Sequence, residues 1–485
     1  LVYLYLFLAF DLLVKMSVEL VPNTGMSSSA IRQLDRDNME SSDEQTINGN
    51  NNTQTFEKNV SDSENPNMGP PLVRDAPPAA PSPPPDGGLA AWLHVVGGFM
   101  IFFNTWGIMN TFGVFQTYYE SGAFIHASSS AISWIGSVQA FIVMATGIVS
   151  GPVHDRGYFR ALLLTGSFAI VFGHMMLSIS KEYWQVVLSQ GVCVGLGAGC
   201  LFTPTLSLLP TYFSRRLGLA MGLALVGSSL GGIIYPIVMY RLLDTLGFGW
   251  SVRVVAFIAL GTLLLPCAVM RTRVKPARPR AFIDLTALKD TKYILFTLSC
   301  LLAFMGFSVI QFYLSFFAES RGLTGRDMSF YLVAVFNAGS CLGRVLPSAL
   351  SDWLGPFNTI APGTAVFGVV MFCMLAVKDE AGVVVLAVLG GFFSGVLIAL
   401  PPVCYARLTE DKAVIGTRIG MGFSVIAFGM LAGGPGAGSI LGGPDDQHWT
   451  SVWVFGGAVA VAAGFFFSVL AVWQYRAGKK TNSVA

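Results

Sequence analysis

Twelve apolar runs, each near the length an α-helix needs to cross a bilayer, dominate this chain from Leu89 onward. A hydrocarbon core about 30 Å thick calls for roughly 20 apolar residues per helical crossing. The runs fall at 91–116, 129–150, 160–180, 184–208, 217–240, 250–270, 293–316, 328–350, 358–377, 382–404, 416–441 and 450–474. In lipid the backbone must satisfy its own hydrogen bonds, so runs of this length are expected to be helices rather than strands. Composition agrees. The 485 residues are 53% hydrophobic and 12% charged, against about 25% charged in soluble domains, so the excess apolar surface must face lipid. The expected fold class is an all-α membrane protein with twelve transmembrane helices.

Charge sets the expected orientation. With the N-terminus inside, the short inner loops and the C-terminal end carry 17 Lys and Arg, against 6 in the outer loops. Positive residues stay cytosolic, which predicts both termini on the cytosolic side. The richest stretch, 271–292, falls between the sixth and seventh runs. It divides the membrane region into two six-helix halves, 87–270 and 293–475, followed by a short tail at 476–485. The segment GPVHDRGYFR after the second run is echoed by PSALSDWLGP after the eighth. Asp155 and Asp352 occupy corresponding places 197 positions apart, close to half the membrane region, as expected for an internal repeat.

Residues 1–86 differ in kind. They hold 12 of the 27 acidic residues and run into the proline-rich PPLVRDAPPAAPSPPPDGG, which reads as a disordered cytosolic tail. The opening LVYLYLFLAFDLLV is too short to span and is interrupted by Asp11. A wrongly assigned start, with Met16 or Met26 as initiator, is the expected explanation, and a signal peptide the alternative. Two glycosylation sequons, at Asn51 and Asn59, carry no weight in a cytosolic tail. The seven cysteines lie in or beside apolar runs without C-x-x-C pairing, and read as small apolar residues rather than metal ligands or a disulfide framework. No basic face suggests nucleic acid.

Gly151-Pro152-x-x-Asp155-Arg156-Gly157-x-x-Arg160 resembles the loop 2–3 signature of the major facilitator superfamily. Asp86-Gly87-Gly88 through Ala91-Trp92 to Phe112-Gly113-Val114-Phe115 resembles the first-helix motif of the monocarboxylate porter family. Tyr212-Phe213-Ser214-Arg215-Arg216-Leu217-Gly218-Leu219-Ala220-Met221-Gly222 resembles that family's fifth-helix motif, in the style of fungal members. The resemblance spans roughly residues 83–475. It implies secondary transport of a small organic, carboxylate-bearing solute by alternating access across the plasma membrane, often with a proton. No metal or other cofactor is implied.

The motifs also make physical sense. Gly151, Pro152 and Gly157 suit a turn at the membrane surface. Asp155 can cap a helix or pair with Arg156 or Arg160, and with Asp352 these residues are candidates for conformational gating; ordinary interfacial charge is the alternative. Arg215 and Arg216 read as positive-inside anchors. Glycines at spacing four, including Gly195 and Gly199 in the fourth run and Gly218 and Gly222 in the fifth, let neighbouring helices approach closely. Arg344 lies well inside the eighth run, where a charge costs about 2.5–3.5 kcal/mol unless it faces a cavity or partner. It matches the family's substrate-binding arginine, and its planar fork suits a carboxylate. Snorkelling to the surface is the alternative.

The pattern also departs from the family's. Asn110 stands nearest the first-helix lysine of animal carboxylate porters, and Ser340 replaces the acid one turn before Arg344, which puts proton coupling in doubt. Asn110 and Asn337 are candidate substrate contacts. Asn104, Gln116, Gln139, Gln190 and Gln311 could line the same cavity or serve as interhelical glue, and His94 and His174 could relay protons or simply pack. No G-x-x-x-x-G-K-[ST] or H-E-x-x-H motif points to an ATP-driven pump or a metalloprotease. A pore or seven-helix receptor fits twelve echoing spans poorly. Uptake of a carboxylate and efflux of a bulkier, flatter metabolite both remain open.

Overall fold

The computed structural model describes residues 84–120, 129–273, 283–411, 414–442 and 447–482. The N-terminal tail, both sequons and the start assignment lie outside them. All regular structure among the described residues is helical. Eleven helices are long and apolar enough to span, and one of these, Leu217–Val269, has 53 residues. At 1.5 Å per residue that is about 80 Å, far more than one crossing. It breaks at Gly247, whose φ of 72° and ψ of 171° leave helical space, giving two antiparallel crossings and twelve among the described residues.

In chain order these are α1 (Leu89–Gln116), α2 (129–155), α3 (Phe159–Leu177), α4 (Tyr183–Thr211), α5 (217–246), α6 (248–269), α7 (Thr291–Ser320), α8 (Arg326–Leu354), α9 (Pro356–Cys373), α10 (Glu380–Leu408), α11 (Ile415–Leu441) and α12 (Trp449–Asn482). Most outlast the apolar runs that announce them. The last turns of α8 and α10 carry Asp352 and Arg407, polar residues that belong to the interface yet keep helical geometry. Gly151 and Pro152 are likewise inside α2. The turn itself falls at Gly157, with φ of 92°, so only one of the three expected turn residues makes it.

Within the first half α1 packs on α5, and α3 on α4 and α6; within the second, α8 packs on α10 and α9 on α12. Two seams join the halves, α5 against α8 and α2 against α11. The outermost helices present Leu164, Phe168, Phe172, Phe465 and Trp473 outward, apolar surface that only a bilayer makes tolerable. The face bearing 271–292 is termed the linker face below, and the opposite one the far face. Asp284 and Asp290 pair there with Arg418 at 2.7 and 3.8 Å, tying the end of the linker to the start of α11.

Candidate functional site

The helix α1 is interrupted at Thr105 and again at Asn110–Thr111, at the depth where the two halves part. Broken helices in a membrane are tolerated where they border a cavity. A cavity of about 170 Å³ lies there, lined from both halves. Trp106, Phe112 and Phe202 form one wall, and Phe304, Phe307, Phe312, Phe336 and Phe423 the other. Trp106 meets Phe202 edge-on at 5.6 Å, and Phe202 meets Phe423 at 5.2 Å across the inter-half boundary.

All three expected substrate contacts, Arg344, Asn110 and Asn337, line this one cavity, joined by Gln116 and Gln311. Arg344 is only 3% exposed, so it does not snorkel to the surface. Its Nη1 donates to the Leu225 carbonyl at 2.7 Å and to the Ser228 hydroxyl, both on α5. Its Nε has no partner among the described residues. Two bonds from one nitrogen hold the guanidinium still, and the Nε on its other side is buried without a partner among the described residues.

Toward the far face the polar residues form a layer. Gln311 Nε2 donates across the inter-half gap to Asn110 Oδ1 at 3.0 Å. Asn337 Nδ2 donates to the Val333 carbonyl at 2.9 Å. Gly232 on α5 sits against both Asn110 and Asn337 because it has no side chain to hold them off. Other candidates lie elsewhere. Asn104 bonds Thr262 and Tyr235, and Gln190 accepts from the Tyr119 hydroxyl, so both are interhelical glue. Gln139, His94 and His174 do not line the cavity. The His94 ring stacks on Tyr212 at 4.0 Å and bonds the Ala90 carbonyl, and His174 bonds the Ile170 carbonyl. Ser340 is buried beside Ser394, outside the cavity lining.

On the linker face the two repeat-related aspartates do the same thing. Asp155, at the end of α2, accepts from the amides of Gly416 and Thr417 at 3.0 and 2.6 Å, and from the Thr417 hydroxyl at 2.8 Å. Asp352, in the last turn of α8, accepts from the amides of Gly218 and Leu219 at 2.7 and 3.0 Å. Each carboxylate therefore crosses to the other half and caps a helix N-terminus, α11 in one case and α5 in the other. The unpaired amides and positive end of a helix favour an anion there. Of the two expected uses of Asp155, capping is observed, on a helix 261 positions away. Arg160 is exposed.

The glycines divide by location. A Cβ on Gly218 or Gly222 would run into the Ser348 or Arg344 carbonyl of α8, so these two permit the inter-half seam. Gly195 and Gly199 instead rest against Gln139, Ile142 and Thr146 of α2, inside the first half. Gly147 and Gly151, unremarked as packing residues in the sequence, approach the backbone of Gly420 and Gly416 and build the second seam.

The first- and fifth-helix motifs meet each other. Asp86 donates its amide to the Tyr212 carbonyl at 3.1 Å, and its carboxylate accepts from the amides of Ser214 and Arg215. Trp92 packs edge-on against Phe213 at 5.1 Å. Arg407 from the second half donates to the Ser214 carbonyl at 3.2 Å.

Residues 94–381 match the family model for the Major Facilitator Superfamily. The MFS-type transporter dbaD of Emericella nidulans is 59% identical over 384 residues, which cover 79% of this chain and 86% of that protein. The aspyridones efflux protein apdF of the same fungus is 36% identical over 391 residues, 80% of this chain and 79% of its own. The crystal structure of the human organic anion transporter MFSD10 superposes with a TM-score of 0.63 at 13% identity, over 78% of this chain and 98% of that one. With a family match over more than half its length, and close relatives along nearly all of the membrane region, this chain belongs to the Major Facilitator Superfamily.

Proposed function

We propose that this transporter exports an organic anion by alternating access around the aromatic cavity, with Arg344 as the anion's anchor. The observation that carries the reading is the arginine itself: buried, held by Leu225 and Ser228, and keeping Nε without a partner inside a cavity. An uncompensated buried donor on a charged group is costly, and a substrate acid removes that cost. Efflux is favoured over uptake of a small nutrient acid for two reasons. Eight aromatic residues line the cavity, a poor environment for a small hydrophilic acid and a good one for a flat, conjugated body. A relative 36% identical over four-fifths of this chain is named an efflux protein.

In the same reading, the Asp155 and Asp352 clasps close the linker face, which is the cytosolic side, and the cavity faces the far side. Breaking both clasps and separating the glycine seams lets the halves rock and exposes Arg344 to the cytosol for loading. Residues 87–270 and 293–475 are the two rocking bodies, 271–292 their linker, and the plasma membrane the site of action. The monocarboxylate porter motifs then serve architecture, since Asp86 and Tyr212–Arg215 clamp each other rather than a substrate.

The test is comparative mass spectrometry of cells and medium from the source organism with and without this gene. A compound that accumulates inside deletion cells and is released on re-expression of the wild type, but not of Arg344→Gln at equal membrane abundance, is the expected result. Release by Arg344→Gln at the wild-type rate would remove Arg344 from the site. A compound left unconsumed in the deletion medium would reverse the direction to uptake.

A further inference from the structure

The cavity holds more unsatisfied polar atoms than an anion anchor requires, and they differ in kind from one end to the other. Arg344 Nε, nearer the linker side, and Trp106 Nε1, one helical turn before Asn110, are buried donors without partners among the described residues. Toward the far face, Gln311 Oε1 and Ser315 Oγ are buried without partners, and Gln311 has committed its Nε2 to Asn110. Asn337 has likewise committed its Nδ2 to Val333. The bond to Asn110 uses one of the two Nε2 hydrogens and leaves Oε1 as the Gln311 acceptor without a partner among the described residues. Ser315 lies four residues beyond Gln311 on α7, about 6 Å further toward the far face, and Asn337 lies seven residues before Arg344 on α8, about 10 Å away along the axis. Between the two ends the walls are Phe304, Phe307 and Phe336, with no polar side chain among the three.

Buried polar atoms are normally paired, and each orphan has a desolvation cost of about 1–3 kcal/mol until something meets it. Four orphans in one cavity, donors at one end and an acceptor with a hydroxyl at the other, describe the complement of a ligand. We propose that the substrate is a flat aromatic or conjugated acid that also carries a hydroxyl or N–H donor at the end remote from the acid. The acid is bound by Arg344 and Trp106, the ring system lies between the phenylalanines, and the distal donor is read by Gln311 and Ser315. This rests on the anion-anchor reading of Arg344 and adds to it the body and the second functional group. The distal contact is where selectivity arises. A site built to accept a hydrogen bond discriminates strongly against an analogue that cannot donate one, whereas the aromatic walls tolerate many ring shapes.

The experiment is equilibrium binding to the purified full chain in lipid nanodiscs with four probes: a hydroxynaphthoate with its hydroxyl on the ring remote from the carboxylate, the unsubstituted naphthoate, the corresponding naphthol, and a saturated decalin carboxylate. The hydroxynaphthoate is expected to bind at least tenfold more tightly than the naphthoate, and the decalin acid more weakly than either. Gln311→Met should bring the ratio of hydroxynaphthoate to naphthoate affinity down to about one, whatever it does to the two absolute affinities. Ser315→Ala should narrow the same gap in a variant that keeps the Asn110–Gln311 bridge, should Gln311→Met not fold. Equal affinity of the two naphthoates for the wild type, or a gap that both variants leave intact, overturns the inference. The anchor reading fails with a different signature: naphthol binds as well as the acids, or Arg344→Gln leaves acid binding unchanged.

Discussion

In the proposed cycle the two clasps on the linker face act on one equilibrium between linker-closed and linker-open forms, which fixes a quantitative prediction. Asp155→Asn keeps the shape of the side chain and one acceptor oxygen but removes the charge and the second acceptor. The wild-type carboxylate takes two backbone amides and a hydroxyl at the positive end of α11. Hydrogen bonds to a charged group are worth about 1.5–3 kcal/mol, and part of that survives in the amide. A loss of about 1–2 kcal/mol is therefore expected, which moves the equilibrium roughly 5- to 30-fold toward the linker-open form. Asp352→Asn should move it less, because Asp352 accepts from two amides alone and is half-exposed, whereas Asp155 is buried, also takes the Thr417 hydroxyl and lies 3.2 Å from His154 Nδ1. The clasps share no residues, so their free energies should add and the double variant should shift the equilibrium by the product of the two factors. Spin labels at the exposed positions Ala161 and Asn358, one in each half at the linker face, report the populations by electron–electron resonance in a background freed of reactive cysteines. If the single and double variants all give the wild-type distance distribution, the aspartates merely cap helices and the gating argument is wrong.

Other consequences follow from the same geometry. Gly222→Ala places a methyl against the Arg344 carbonyl in the inter-half seam, so it should populate the linker-open form with little loss of protein. Gly195→Ala, whose methyl meets only its own half at about 3.2 Å, should instead lower folded yield and leave the equilibrium alone. Arg344→Lys keeps the charge but not the fork, and cannot both bond Leu225 and Ser228 and present a two-pronged edge, so acid affinity should fall at least tenfold in a binding assay. At the linker, burial pushes the Asp284 carboxyl upward, but donation from Thr286 and Arg418 outweighs it and holds the group below the usual carboxylate range. A depressed carboxyl contributes stability at all pH values above its unfolded range and loses it only as pH falls through the folded value. Thermal stability of wild type and Arg418→Ala should therefore differ by a constant amount from pH 5 to 8 and converge in stronger acid.

How far the sequence could be read depended on whether a residue was anomalous where it stood. Arg344, Asn110 and Asn337 are polar in apolar runs, and a polar residue in lipid needs a reason, so all three were legible and all three line the cavity. The anomaly argument also picked out Asn104 and Gln190, which bond other helices, because a polar residue needs a partner but its sequence does not say which. Trp106, Phe202 and Phe423, by contrast, are ordinary residues for a membrane helix. Nothing in the sequence separates an aromatic facing a substrate from one facing lipid. Helix number was legible from apolar length, and helix ends were not, because Asp352 and Arg407 leave the hydrocarbon while the backbone goes on winding.

The deepest omission concerns pairs. Asp155 and Asp352 were recognisable as repeats of one another, yet the binding partner of each is the start of a helix in the opposite half, Gly416–Thr417 and Gly218–Leu219. A backbone amide has no sequence signature, so a carboxylate that binds amides has no partner recognisable among the side chains. The repeat supplies the missing step once one clasp is seen in the structure. If two equivalent aspartates each bind across a pseudo-twofold axis, each must meet the element corresponding to the one its twin meets. Gly218 at the start of α5 and Gly416 at the start of α11 are 198 positions apart, against 197 for the aspartates. In a two-halved transporter, an internal offset measured from one conspicuous pair therefore carries a contact seen in one half to its counterpart in the other.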